Sequence, residues 1–363
     1  MDGGTIVTGG AGFIGSHLVA LLQARGHWVR VIERPGADVS HLPPGVEVIR
    51  ADIRDRKAVR KALEGGRFVY HLAANPNLWV RDRREFDAVN HQGTVHVLDA
   101  AIAAGAERTL HVSTESILTC ARQATPIAED ITVTEADAVG PYCLSKLRAE
   151  NAAMARARAG YPVLIANPTM PVGPGDRGLS PPTRLIRDFC RGALAARIDC
   201  TLNLIDVRDV AEGLIRTLER GRPGRRYLLG GENLTLVGLL TILSEQTGVP
   251  LPRWWVPYPV GLAFAYLSEL WADLVTGRPP QATVTGVRLT RRTLHFDPSR
   301  SLAELGLTPR PLRESLRDAV AWLRQTGQIG ASRSHTPHQG RGLLVEQPLT
   351  PSQEIDCHKG PGA

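Results

Sequence analysis

A chain of 363 residues, 43% hydrophobic and 22% charged, can bury a large core and does not have the composition of a disordered protein. Its formal net charge of +7 comes with scattered arginines, without a basic tail or an arginine–aromatic stripe, which sets aside a nucleic-acid partner. Weak attraction to acidic substrates or to an anionic membrane face stays compatible with that charge.

The chain reaches strand-like "TIV" within a few residues, which leaves no room for a signal peptide and predicts a cytoplasmic location. "TIVTG" then runs into "FIGSHLVALLQARG", "WVRVIE" and "VEVIRADI". "RKAVRKALEGG", "FVYHLAA", a helix around residues 84 to 104 and "RTLHVST" follow. Short apolar runs alternating with helical patterns predict an α/β fold, a doubly wound parallel sheet of Rossmann type covered on both faces. The dinucleotide-binding domain is expected over residues 1–170. "NPTMPVGPGDRGLSPPT" reads as loop. Residues 171–328, with shorter elements such as "RRYLLGG" and "PLRESLRDAVAWLRQTG", are expected to serve both the sheet edge and a smaller C-terminal substrate-binding lobe. From residue 329 to 363 periodicity is lost in Ser, Pro, His, Gly and Gln, the pattern of a disordered tail.

"YPVGLAFAYLSELWADLV" is short for a membrane span and carries Glu269 and Asp273. Beside it, Trp254, Trp255, Tyr258 and Phe264 lie close in sequence. Core packing is the favoured reading of these aromatics; the alternative is an apolar substrate pocket or a face touching a membrane. The five cysteines, Cys120, Cys143, Cys190, Cys200 and Cys357, show no CxxC pair and read as reduced thiols, and no metal site is expected.

Gly9, Gly12 and Gly15 punctuate "IVTGGAGFIGSHL" between a strand and a helix. Gly9 permits a tight turn, Gly12 lets backbone approach a pyrophosphate, and Gly15 lets the helix pack on the strand, with the helix N-terminus facing the phosphates. At the end of the second strand, Glu33 would bind ribose hydroxyls and favour NAD, whereas Arg34 would attract a 2′-phosphate and favour NADP. NAD is slightly preferred. Asp52, closing "VIRAD", is placed to meet the adenine edge.

"GPYCLSKLRAE" sets Tyr142 and Lys146 four apart, on one helical face. A phenol titrates near pH ~10 and is a poor base at neutrality. A neighbouring ammonium is expected to bring it toward working range. Upstream, "LHVSTESIL" ends a strand in hydroxyls that could hold a substrate oxygen.

Together these motifs resemble the extended short-chain dehydrogenase/reductases of the NAD-dependent epimerase/dehydratase type, over about residues 4 to 327. "VYHLAA", "AVNHQGT", "ANPTMPVGP" and "IDVRDVAEG" fall in that family's order. Within it, "NPNLWVRDRREFDAVNHQGT", "LGGENLTL" and "TGRPPQATVTGVRLTRR" are similar to hopanoid-associated sugar epimerases, themselves similar to dihydroflavonol reductases. The resemblance implies a catalytic triad of Thr114, Tyr142 and Lys146. It also implies a cofactor shell in which Phe13, Ile14, Ile53, Ala73, Ala74, Asn90, Asn167 and Pro168 join the glycines, with Tyr142 and Lys146 reaching the cofactor too. Asn75, Trp79, Glu115 and Arg177 would line the substrate side. Arg177, Arg184 and Arg187 are candidates for a diphosphate, though Arg184 and Arg187 at i, i+3 equally fit a solvated helix face. Two departures stand out: Asp206 and Arg208 occupy "LIDVRDVA" where that group tends to show His and Asp, and Ser116 replaces the second carboxylate of the dehydratases.

The implied chemistry is hydride transfer at a secondary alcohol or ketone of a sugar or lipid-like small molecule, ending either in epimerisation or in net reduction. A ketone reductase of the dihydroflavonol or 3-hydroxysteroid type is the alternative within the class. A non-catalytic dinucleotide sensor is the alternative outside it. A homodimer through the helices around 84 to 104 and 140 to 159 is the family expectation.

Overall fold

The computed structural model describes residues 4–119, 126–292 and 294–330. Cys120 and Cys357, and the expected tail from residue 331 onward, lie outside the described residues. The chain begins β1 (Gly4–Thr8), α1 (Phe13–Ala24), β2 (Val29–Glu33), β3 (Glu47–Arg50), α2 (Arg56–Ala62) and β4 (Gly66–His71). The helix expected around residues 84 to 104 is α3 (Arg84–Phe86), a π-helical turn (Asp87–Gln92) and α4 (Gly93–Ala103) in continuous succession. Next come β5 (Arg108–Val112), the long α5 (Gly140–Arg158) and β6 (Val163–Pro168).

The remaining elements are β7 (Met170–Val172), α6 (Pro181–Cys190), β8 (Ala196–Arg197), β9 (Thr201–Asp206), α7 (Val207–Arg220), β10 (Arg226–Leu229), β11 (Glu232–Thr235) and α8 (Leu236–Thr247). β12 (Trp254–Trp255), α9 (Tyr258–Trp271), a π-helical turn (Ala272–Thr276), α10 (Val284–Leu289), α11 (Ser299–Leu305) and α12 (Leu312–Gln325) complete the described chain.

Seven strands form one parallel sheet in the order β10-β6-β5-β4-β1-β2-β3. This is the doubly wound arrangement, reversing at β1, with β10 added at one edge. Apart from the edge strand β3, its strands are largely buried because helices cover both faces, which is why they read as apolar runs. The crevice beyond the carboxyl ends of β1 and β4 is where such sheets bind ligands. A smaller sheet, β11-β9-β7, leaves from the end of β6.

Two readings of the sequence are corrected here. The Pro/Gly-rich stretch after Pro168 is not all loop: Met170–Val172 is a strand at the edge of the small sheet, where Pro171 withholds no ladder hydrogen bond that the sheet needs. Pro181 then opens α6 from a position in its first turn, where a missing N–H costs nothing. The aromatics of residues 254 to 264 are not core either. Trp254, Trp255 and Phe264 are 72%, 54% and 49% exposed, and only Tyr258 is half-buried. Trp254 and Trp255 form β12, while α9, which carries Phe264, fully buries only Gly261 and Ala265, so most of its large residues are left outside. No helix of the described residues is long and apolar enough to cross a membrane.

Candidate active site

Backbone geometry sets the first part of the site. Gly9 follows β1 at φ +72°, and a Cβ there would stand 2.7 Å from the Ala73 nitrogen. A Cβ on Gly15 would lie 2.1 Å from the Gly9 carbonyl oxygen, so no other residue fits without moving backbone. α1 then starts at Phe13 with Gly12 as its cap, no side chain capping it and no acid in its first turn. Its first-turn N–H groups are therefore left for an anion, aided by the positive end of the helix dipole. That cradle fits a dinucleotide pyrophosphate.

Around it, Glu33 Oε1 accepts a hydrogen bond from the Ala11 N–H at 2.8 Å, so the carboxylate braces the glycine turn. Arg34 is exposed. Asp52 grips Arg54 at 2.6 Å, and the guanidinium holds its carboxyl below the usual range. Ile53 is buried, while Phe13, Ile14, Ala73 and Ala74 are half-buried, at the start of α1 and just after β4. The Ala73 N–H donates to Thr8 Oγ1 at 3.2 Å.

The second part gathers at the ends of β5 and β6. Thr114 follows β5, donates to Glu115 Oε2 at 2.9 Å and lies 3.2 Å from Ser116 Oγ. Tyr142 and Lys146 share the buried face of α5. The Phe86 ring meets Tyr142 edge-on with centroids 6.2 Å apart. Burial, with Cys143 and Glu115 beside it, pushes the Tyr142 phenol well above its ordinary range, and the Thr114 and Ser116 hydroxyls oppose that shift. Lys146 was expected to pull the phenol down. Instead its Nζ donates to the Val112 carbonyl at 2.9 Å, and burial lowers its own pKa to about 8. A cation directed at a backbone carbonyl is a weak acidifier of the phenol on the turn above.

Asn90 is buried, accepting from the Asn75 N–H at 2.7 Å and donating to Ser145 Oγ at 3.1 Å, so it ties the π-helical turn to α5. Asn167 donates to the Thr114 carbonyl and to Glu150 Oε2 at 2.7 Å, and its buried Oδ1 has no partner among the described residues. Pro168 closes β6 next to it. The sequence reading missed Glu150 and Arg226. Glu150 is fully buried, takes Arg226 Nε at 2.6 Å and raises the pKa of Lys146 against desolvation. The signal was present as an acid four residues after Lys146, on the same helical face.

On the substrate side, Asn75 donates to Glu85 Oε1 at 2.8 Å, and Trp79 Nε1 donates to Asp273 Oδ1 at 3.1 Å. Arg177 is exposed. Arg184 bonds the Leu179 carbonyl at 2.6 Å and Arg187 pairs with its neighbour Asp188, so neither is held as part of a diphosphate clamp. Asp206 caps α7 and pairs with Arg208 at 2.6 Å, which gives this departure a structural use. A separate hollow of about 740 Å³ opens between α1 and α7, lined by His17, Arg208 and Arg310 among others; Thr114, Tyr142 and Lys146 do not line it.

Glu115 is buried, and desolvation pushes its pKa up to about 7. The folded chain keeps that proton to about pH 7, whereas an unfolded glutamate releases it near its ordinary value of 4.5. The protonated carboxyl's contribution is thus full below pH 4.5 and is lost as pH rises through about 7. Urea unfolding at both ends of this window is expected to show the native chain losing about 3 kcal/mol relative to Glu115→Gln. Parallel pH profiles of the two proteins would remove the assignment.

Residues 5–230 match the NAD dependent epimerase/dehydratase family. A Synechocystis sp. protein provisionally named a dihydroflavonol 4-reductase is 34% identical over 331 residues, covering 89% of this chain and 95% of that one. Sterol demethylase protein B of Methylococcus capsulatus is 36% identical over 328 residues, covering 90% and 99%. Among solved structures, a nucleoside-diphosphate-sugar epimerase from Pseudomonas aeruginosa superposes with a TM-score of 0.75 at 26% identity, covering 91% of this chain and all of that one.

Proposed function

The chain belongs to the NAD dependent epimerase/dehydratase family, and from that premise we propose that it is a ketone reductase acting on a lipid-like or polycyclic substrate. A bound nicotinamide cofactor, held at its pyrophosphate by the Gly9–Gly15 turn, would supply the hydride. Tyr142 donates its proton to the substrate oxygen as hydride reaches the carbonyl carbon, giving the secondary alcohol. The Thr114 hydroxyl fixes that oxygen, and Lys146 supports the nicotinamide ribose. Carrying the reading is the convergence of the buried Tyr142 phenol and Lys146 ammonium of α5 with the half-buried Thr114 hydroxyl just after β5. Glu33, bracing the glycine turn while Arg34 stays exposed, supports NAD over NADP.

Two observations support an apolar substrate over a nucleotide sugar. Two of the three candidate arginines, Arg184 and Arg187, are engaged elsewhere and leave the exposed Arg177 alone, and a relative at 36% identity is named for sterol demethylation. Epimerisation is the second reading, supported by the name of the Pseudomonas aeruginosa neighbour. The homodimer through the α4 and α5 region and a cytoplasmic location belong to the same proposal. Cofactor accounting tests it: NADH loss should match alcohol formed, mole for mole, with 3-ketosteroid and long-chain 3-oxo substrates. Turnover of a nucleotide sugar with no net change in cofactor would replace reduction by epimerisation.

A further inference from the structure

We propose that α9 and the π-helical turn after it form a docking face for an anionic lipid bilayer. A surface helix of a globular protein normally turns its large apolar residues inward. This one is inside out. Gly261, Ala265 and Ala272 are its buried residues. Val260, Phe264, Leu267, Trp271 and Leu274, at spacings of three and four, form one stripe between 49% and 76% exposed. Scattered exposed apolar residues need no explanation, but a continuous stripe marks an interaction site.

Charge selects the occupant. Both acids of the segment are drawn inward: Glu269 accepts from the Val284 N–H at 2.8 Å, and Asp273 pairs with Arg83 at 3.1 Å while accepting from Trp79. The exposed Arg253, Arg278, Arg288 and Arg291 have no ion-pair partner among the described residues. An apolar helix face with aromatic residues, flanked by these four exposed arginines, matches the headgroup boundary of an anionic bilayer. A second copy of this chain would instead set arginine rim against arginine rim.

The face is also continuous with the candidate active site. Trp79 is bonded to Asp273, and α10 packs on α5, the helix carrying Tyr142. Docking would bring the substrate side to the lipid phase, so a membrane-dissolved ketone is the substrate class that fits. That last step rests on the reductase reading, whereas docking does not.

The full chain is expected to co-sediment with vesicles of phosphatidylglycerol and phosphatidylcholine in equal parts. Binding should weaken at least tenfold on pure phosphatidylcholine and fall with added salt. The double variant Leu267→Glu, Leu274→Glu, altered only at exposed positions, should lose at least tenfold in binding with its melting temperature unchanged. If that variant folds poorly, the native chain still reports: brominated acyl chains should quench its tryptophan fluorescence. Tyr142→Phe should bind vesicles normally while losing turnover, which separates failure of docking from failure of the chemistry. Absence of vesicle binding by the full chain, or a dimer that the double variant converts to monomer, would overturn the proposal.

Discussion

Tyr142→Phe is expected to lower kcat by 10²–10⁴-fold while leaving cofactor affinity within about twofold, because a positioned proton donor contributes that much to such a step. The substitution removes one oxygen and keeps the ring, which is buried and held edge-on by Phe86. Stability should change little. The site also predicts a direction with pH. Burial keeps the phenol protonated, with its pKa raised. Ketone reduction, which needs the proton on Tyr142, should therefore proceed at neutral pH without a deprotonation step. Alcohol oxidation, which needs the phenolate, should accelerate as pH rises. Single-turnover rates in both directions, beside a fluorescence titration of NADH, check this. A variant that keeps native kcat with bound cofactor would mean that the proton comes from elsewhere.

Much of this arrangement is legible in the chain because its signals are local. A strand, a glycine turn and a helix within "IVTGGAGFIGSHL" give the cradle, and alternating apolar runs give the parallel sheet. Tyr142 and Lys146 lie four apart, so helical periodicity alone puts them on one face. What the chain hides depends on partners far away in sequence. Whether Lys146 acidifies Tyr142 depends on where its ammonium finds an acceptor, and that acceptor is the carbonyl of Val112, on β5. Met170–Val172 becomes a strand because β9, about thirty residues later, offers it a ladder. The exposure of Phe264 and its neighbours on α9 is hidden for a related reason. Hydrophobicity alone does not tell a core helix from one that presents small residues to the protein and large ones to its surroundings.

Removing the carboxylate of Glu150 is expected to do more damage than its silence in the sequence suggests. It is buried, with Arg226 Nε at 2.6 Å on one oxygen and the Asn167 amide at 2.7 Å on the other. Arg226 is itself mostly buried, with a second bond to the Ile131 carbonyl at 2.7 Å. Breaking a buried pair by deleting one partner strands the other charge, so Glu150→Ala should cost about 3–5 kcal/mol, read as a lower urea midpoint at unchanged slope. Glu150→Gln keeps an acceptor of similar shape and should fold better, yet it removes the negative charge that holds the pKa of Lys146 up. That pKa, about 8 in the native chain, should fall in the glutamine variant. More of Lys146 would then be neutral at pH 7.5, weakening whatever its ammonium supports in the site. An NMR titration of selectively labelled lysine carbons separates the two roles. If the Lys146 titration is the same in Glu150→Gln and the native chain, Glu150 serves only to pair Arg226, and its link to the chemistry is lost.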